Sequence, residues 1–314
     1  MIKILLTTLM TILVLTGCNG CISVPGVFKK HKADSLHSEL NISKFKETAV
    51  IVPLSGAVSE EWAVDVEKAL QNPRYDLVVL WIESPGGSVT ETKLLTHRLK
   101  VFQKKYNKPI YVYSERILAS GAYWVASTFE KIVVSPAGHV GSIGVYMVRK
   151  DYSGLYDMLR LKFHYIASDS AKVMGNDATP MTDQERAHWQ MKIYELHVEF
   201  MNHVWAYRTS QLINAYKFRN LMNVTTRQDT MLVAGQFRRI ANGVLYNSRY
   251  AVSVGLIDGV MYFDEFIKAL QAGGYATVTA NGKDITEFYP FSARENRKRK
   301  MQQKVWEHLQ TGQK

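Results

Sequence analysis

Between residues 48 and 135, short unbroken apolar runs alternate with stretches of helical spacing, and this alternation constrains the chain more than any other feature. Residues 48–54, 77–82, 109–112 and 131–135 are apolar and rich in β-branched side chains. Such runs fit strands covered on both faces. Residues 60–71, 90–104 and 121–127 lie between or just before them and repeat at helical spacing, with basic residues gathering toward the end of the second. Strand-helix alternation of this kind predicts an α/β fold with a largely parallel sheet. Farther on, Thr182 and Glu185 have capping-box spacing ahead of a helix over residues 183–207. Apolar positions from Trp189 to Met201 mark its core face. A second helix start is suggested by Thr225-Thr226-Arg227-Gln228-Asp229, and a hairpin by Asn281-Gly282 within residues 276–286.

Four short motifs carry chemistry in combination, although each is weak alone. Ser120 stands in Leu118-Ala119-Ser120-Gly121-Ala122-Tyr123 at the start of a helix, which exposes its hydroxyl. A serine hydroxyl is a poor nucleophile until a neighbour takes its proton. Lys172, in Ser168-Asp169-Ser170-Ala171-Lys172, is the candidate base, a role open to lysine only where burial lowers its pKa. Between them, Gly141-Ser142-Ile143-Gly144 offers a hydroxyl. Upstream, a strand ends in Ser84-Pro85-Gly86-Gly87, where uncovered amides can approach a substrate. Amides aimed at a tetrahedral oxyanion contribute a few kcal/mol to catalysis, about 3–4 for one donor. The pattern points to a Ser/Lys peptidase. A histidine base, His139 or His164 with Asp169 nearby, is the alternative within that chemistry.

Residues 48–270 resemble the signal peptide peptidase A family (SppA and its relative SohB), a branch of the ClpP/crotonase fold. The resemblance rests on Ala49-Val50-Ile51-Val52-Pro53-Leu54-Ser55-Gly56, Ser84-Pro85-Gly86-Gly87-Ser88-Val89, Ala119-Ser120-Gly121-Ala122-Tyr123 and Val140-Gly141-Ser142-Ile143-Gly144-Val145. Met181-Thr182-Asp183-Gln184-Glu185-Arg186 and Gly255-Leu256-Ile257-Asp258 complete it, in the family's order. It implies an α/β spiral of repeated ββα units with a C-terminal helical part. It implies Ser120 as nucleophile, Lys172 as general base, Ser142 orienting the lysine amine, and the amides of Gly87 and Gly121 as the oxyanion hole. It also implies apolar, signal-peptide-like substrates and a homo-oligomeric ring, octameric at this length. In such rings serine and lysine come from neighbouring subunits, so a monomer would be inactive. The helix over residues 183–207 then also supports subunit contacts. No internal repeat is present, as in the single-unit members.

Two departures from the family stand out. Glu83 occupies a position where the family usually has Asn, beside the oxyanion turn, and a carboxylate there opposes oxyanion charge or acidic substrates. Ala122 replaces a frequent Gly. Residues 209–237 make a longer connection than usual, to which no function attaches. Glu83 supports a second reading, a catalytically inactive scaffold or peptide-binding lipoprotein. A third, an acyl-CoA enzyme like the crotonases, conflicts with the export signal and the Ser/Lys pair.

With 314 residues and 46% hydrophobic content, the chain is long enough for a substantial core. Its net charge of +11 favours acidic surfaces such as anionic lipid, but the charge is dispersed and no nucleic-acid motif appears. Met1-Ile2-Lys3, an apolar run to Leu15 and Leu15-Thr16-Gly17-Cys18 resemble a bacterial lipoprotein signal, with an uncleaved anchor helix as the alternative. The expected organisation is a signal peptide over residues 1–17, a tether over 18–46 beginning at a lipidated Cys18, a peptidase domain over 47–274, and a hairpin with a basic tail over 275–314. A protein so built is anchored to membrane lipid in the bacterial envelope, facing the periplasm. By resemblance to enteric lipoproteins, Asn19 after Cys18 implies the outer membrane. With Cys18 lipidated, Cys21 is the only remaining thiol, so no intrachain disulfide forms. No clustered ligands suggest a metal, and no cofactor is expected.

Overall fold

A computed structural model describes residues 47–220 and 223–279. The leader, Cys18, Cys21, the tether, the Asn281-Gly282 turn and the basic tail lie outside the described residues. Six strands form the main sheet in the order β8-β5-β3-β2-β1-β9, and every pairing in it is parallel. They are β1 (Glu47–Ser55), β2 (Leu77–Glu83), β3 (Ile110–Ser114), β5 (Lys131–Val134), β8 (Gly259–Val260) and β9 (Tyr275–Thr279). A smaller sheet has the order β4-β6-β7, from β4 (Ile117–Ala119), β6 (His139–Gly141) and β7 (Leu245–Asn247). The helices are α1 (Trp62–Gln71), α2 (Val89–Tyr106), α3 (Gly121–Ser127), α4 (Ser153–Met158), α5 (Asp183–Asn220), α6 (Arg227–Ile240), α7 (Ser248–Ser253) and α8 (Phe263–Ala272).

The sequence pattern accounts for the layering. All seven residues of β2 are buried, because alternate side chains enter two different cores. Val78, Leu80 and Ile82 join the larger core beneath α1, α2, α3 and α5. Leu77, Val79 and Trp81 face α8, where the Trp81 ring stacks on Phe263 at 4.2 Å. A polar residue at either set of positions would be buried, which is why the strand reads as continuously apolar.

The two sheets are built by one repeating move. A main-sheet strand leaves its sheet, contributes a short stretch to the small sheet, and enters a helix. β3, β4 and α3 make one such unit. β2, a bridge from Ser84 to Leu118, and α2 make another. β5 and β6 repeat the first two steps. This is the expected α/β arrangement of ββα units, with helices α5 to α8 after it. The main sheet extends to Thr279, because β9 pairs with β1 from Glu47↔Tyr275 to Ile51↔Thr279. The first strand expected of a C-terminal hairpin thus pairs with β1 and ends the sheet's order among the described residues.

Helix α5 runs to Asn220, longer than its sequence pattern suggested. Thr182 and Glu185 exchange the anticipated capping hydrogen bonds, 2.9 and 3.2 Å. None of residues 183–199 is buried, whereas Phe200, Val204, Arg208 and Leu212, four apart, sink into the core. The capping box over Thr226 and Asp229 also forms and opens α6. Most of residues 209–237 therefore belong to α5 and α6.

Arg208 is wholly buried and pairs with Asp258 at 2.9 Å. Asp258 also accepts the Ile132 amide at 2.8 Å, and Arg208 reaches the Gly255 carbonyl at 3.4 Å. The Tyr123 hydroxyl donates to the Leu256 carbonyl at 2.7 Å, and burial pushes that phenol's pKa up. The Gly255-Leu256-Ile257-Asp258 motif thereby ties α5, α3 and β5 together. Removing one member of a buried pair strands the other charge in the core. Asp258→Ala should accordingly lower the unfolding free energy by about 3–5 kcal/mol in urea titrations followed by circular dichroism.

Candidate active site

Ser120 owes its place to the register of the small sheet. β4 and β6 pair in parallel, with Ala119 opposite Gly141, so Ser120 and Ser142 leave neighbouring strands side by side. The Ser120 amide donates to the Gly141 carbonyl at 2.8 Å, and the Ser142 amide to Val244 at 2.8 Å. Both serines have positive φ, 52° and 50°. Ser120, with ψ −127°, sits between strand and helix in a region that L residues seldom adopt. Strain of this kind costs on the order of 1–3 kcal/mol and persists only where the surroundings enforce it. Here the enforcement comes from below, since all seven residues of α3 are buried.

The glycine turn after β2 presses against this elbow. Gly86 has φ 109°, and a Cβ on it would lie 2.6 Å from the Ser120 Cβ and 3.0 Å from the Gly121 amide nitrogen. A Cβ on Gly121 would meet Thr92 Oγ1 at 2.3 Å and the Gly87 nitrogen at 3.3 Å. Only hydrogen fits at both positions. The amides of Gly87 and Gly121 converge, and neither has an acceptor among the described residues. Together with Ser120 they line a cleft of about 430 Å³ whose walls include Val89, Thr92, Trp124, Val145 and Phe200. Two uncommitted donors beside a hydroxyl and an apolar wall suit a carbonyl that becomes tetrahedral.

Lys172 is not part of this cleft. It sits on an exposed 3-10 turn, Ser170–Val173, whose start is fixed by Asp169 accepting the Ala171 amide at 2.8 Å. That turn belongs to an arm, residues 145–182, leading from the cleft to α5. Arg149 holds the arm together, its guanidinium donating to the carbonyls of Asn176 and Thr179. Trp189 of α5 packs over the Gly175 turn. Tyr146, Val148, Met158 and Ile166 on the arm are exposed, the last completely. The single chain thus brings Ser120, Gly87, Gly121 and, one strand over, Ser142 together, and leaves Lys172 apart. Neither His139 nor His164 lines the cleft, and both are exposed. Among the described residues no group of acidic, histidine or cysteine side chains could hold a metal, and no helix is long and apolar enough to cross a membrane.

Glu83 is not in the cleft either. Its carboxylate, 4% exposed, turns toward the β3–β4 connection. Sequence reasoning also missed His203, which stacks on the cleft residue Trp124 at 5.1 Å and hydrogen-bonds Thr128 at 3.1 Å. Burial pushes its imidazole pKa down to about 4. The signal available in sequence was spacing alone: Phe200, His203 and Tyr207 share one face of α5.

Residues 102–218 match the sequence profile of Peptidase family S49. The chain is 31% identical over 194 residues to a Methanocaldococcus jannaschii protein named "Putative protease", covering 62% of this chain and 55% of the relative. It is 25% identical over 232 residues to the Enterococcus faecium "Putative signal peptide peptidase SppA", covering 73% and 61%. The chain thus spans a little over half the length of these relatives. Among solved structures, a mutant form of a membrane-bound stomatin-specific protease aligns at TM-score 0.40 and 11% identity, over 76% of this chain and 96% of its own.

Two outcomes follow from this geometry. Gly86→Ala should lower stability by more than about 1 kcal/mol, read from the urea midpoint, and slow fluorophosphonate labelling of Ser120 at least tenfold. His203, neutral in the fold, binds its proton near pH 6.5 once unfolded, so its contribution to stability is full above pH 6.5 and shrinks as pH falls toward 4. The slope from one such group is at most about 1.4 kcal/mol per pH unit. His203→Gln should flatten the pH dependence of unfolding across that window relative to the parent.

Proposed function

We propose that this protein is a membrane-anchored serine endopeptidase of the signal peptide peptidase A type, acting on apolar, membrane-associated peptides through Ser120 and Lys172. One observation carries the reading: Ser120 lines an apolar cleft with two amides, of Gly87 and Gly121, that have no acceptor among the described residues. Ser120 Oγ attacks the scissile carbonyl as its proton passes to a neutral Lys172 amine, and the two amides receive the oxyanion. The tetrahedral adduct expels the leaving amine, which takes that proton from the lysine. Water then attacks the acyl-enzyme, giving one proton to the Lys172 amine, which returns it to Ser120 Oγ as the carboxylic acid product leaves.

The lysine comes from a neighbouring copy in a ring, with Ser142 orienting its amine. Docking of the arm buries its exposed apolar side chains and excludes water from around the lysine. Trp124, Phe200, Val89 and Val145 favour apolar substrate side chains. Lipidation at Cys18 would hold the assembly on the periplasmic side of the envelope, where cleaved signal peptides and similar segments are at hand.

Subunit mixing tests the arrangement. Ser120→Ala and Lys172→Ala should each depress hydrolysis of a quenched-fluorescent apolar peptide by at least on the order of 10³-fold. When the two inactive variants are mixed in detergent and allowed to exchange subunits, activity should return, because some interfaces pair an intact serine with an intact lysine. An assembled wild type that hydrolyses none of several apolar peptides would instead favour a peptide-binding scaffold.

A further inference from the structure

Glu83 has the most concentrated set of donors among the described residues, and none of them belongs to the cleft. Its carboxylate accepts three consecutive backbone amides, those of Glu115, Arg116 and Ile117. The Arg116 amide lies 3.1 Å from both oxygens and the Ile117 amide 3.2 Å from Oε2. The Ser114 hydroxyl, at 3.4 Å, and the Trp81 indole, at 3.3 Å, complete the shell. The Arg116 guanidinium is 3.8 Å away on the solvent side. Successive amides pointing inward make an anion-binding concavity, and here the anion is a side chain of the same fold.

The location of this nest gives it a consequence for the site. The amides belong to the turn joining β3 to β4, and β4 delivers Ser120. One residue beyond Glu83, the Ser84 amide donates to the Ile117 carbonyl at 2.9 Å, and the Ala119 amide to the Ser84 carbonyl at 3.1 Å. Ser84 then leads into Gly86 and Gly87. Glu83 is therefore the common anchor of the strand that ends in the nucleophile and the strand that ends in the oxyanion turn. Without the carboxylate, the amides of Glu115, Arg116 and Ile117 lose their acceptor, and β4, which presents Ser120 at a strained φ, loses one of the ties that hold it.

We infer that Glu83 is a positioning residue for the Ser120 elbow, so that the carboxylate which departs from the family pattern maintains the site and does not oppose oxyanion charge. This rests on the reading of Ser120 as nucleophile. A glutamine of the same shape offers one acceptor oxygen to three amides and sets an amide donor against the rest.

The test compares full-length wild type, Glu83→Gln and Ser120→Ala in detergent, by hydrogen exchange with mass spectrometry and by peptide hydrolysis. Glu83→Gln should raise exchange at least tenfold over residues 114–121 while β1 and β9 exchange as in wild type, and should cut kcat about tenfold or more with KM unchanged. Unchanged exchange over 114–121, whatever happens to kcat, would overturn the inference. So would exchange that rises evenly through all strands, which would make Glu83 a core residue of no special relation to the elbow. If wild type and Ser120→Ala are equally inert, the peptidase reading fails by itself, and the exchange pattern still decides whether Glu83 holds the elbow.

Discussion

The site depends on a close approach of two backbones. The turn after β2 and the elbow after β4 come so near that neither Gly86 nor Gly121 has room for a Cβ. That proximity brings the amides of Gly87 and Gly121 to converge beside the Ser120 hydroxyl. It is created by the small sheet, where β4 and β6 continue the main-sheet strands β3 and β5 and lie hydrogen-bonded next to one another. A pocket dug between side chains would tolerate drift by a rotamer; a pocket between paired backbones cannot move unless strands unpair.

Much of this was legible in the sequence, for identifiable reasons. β1, β2, β3 and β5 were visible because burial on both faces leaves a continuous apolar record, and α5 and α6 announced their starts through capping residues. Ser120, Gly87, Gly121 and Ser142 sit on short motifs anchored to those elements, so locating the elements located them. What composition cannot record is direction. The Glu83 carboxylate lies one residue from the glycine turn, and strand geometry points it away from the turn. Phe200 reaches the cleft from α5, far along the chain, with His203 packed behind Trp124, and a helix pattern says which residues share a face without saying what that face covers. The pairing of β9 with β1 was not visible, because a short strand such as Tyr275–Thr279 looks the same in sequence whichever strand it joins.

The electrostatics divide in a similar way. Charges that matter to the fold are buried and matched: Arg208 with Asp258, and Glu83 with a ring of amides. Lys172 stands apart from that pattern on an exposed turn, in a setting where an ammonium stays solvated. Its proposed role requires an environment that only another surface can complete, and the arm that carries it presents apolar side chains for such a surface.

The shape of α5 has a mechanical consequence. Its C-terminal half is fixed in the core at Arg208, while its N-terminal end, at Asp183, adjoins the arm with Lys172. At 1.5 Å per residue these points are roughly 37 Å apart along a single helix. An angular error of a few degrees at the anchored end becomes an error of about 2 Å at the far end, comparable to the tolerance of a proton transfer. The buried ion pair therefore acts as the bearing of a lever, and where the arm with Lys172 comes to rest is set deep in the core, well away from the surface that carries it.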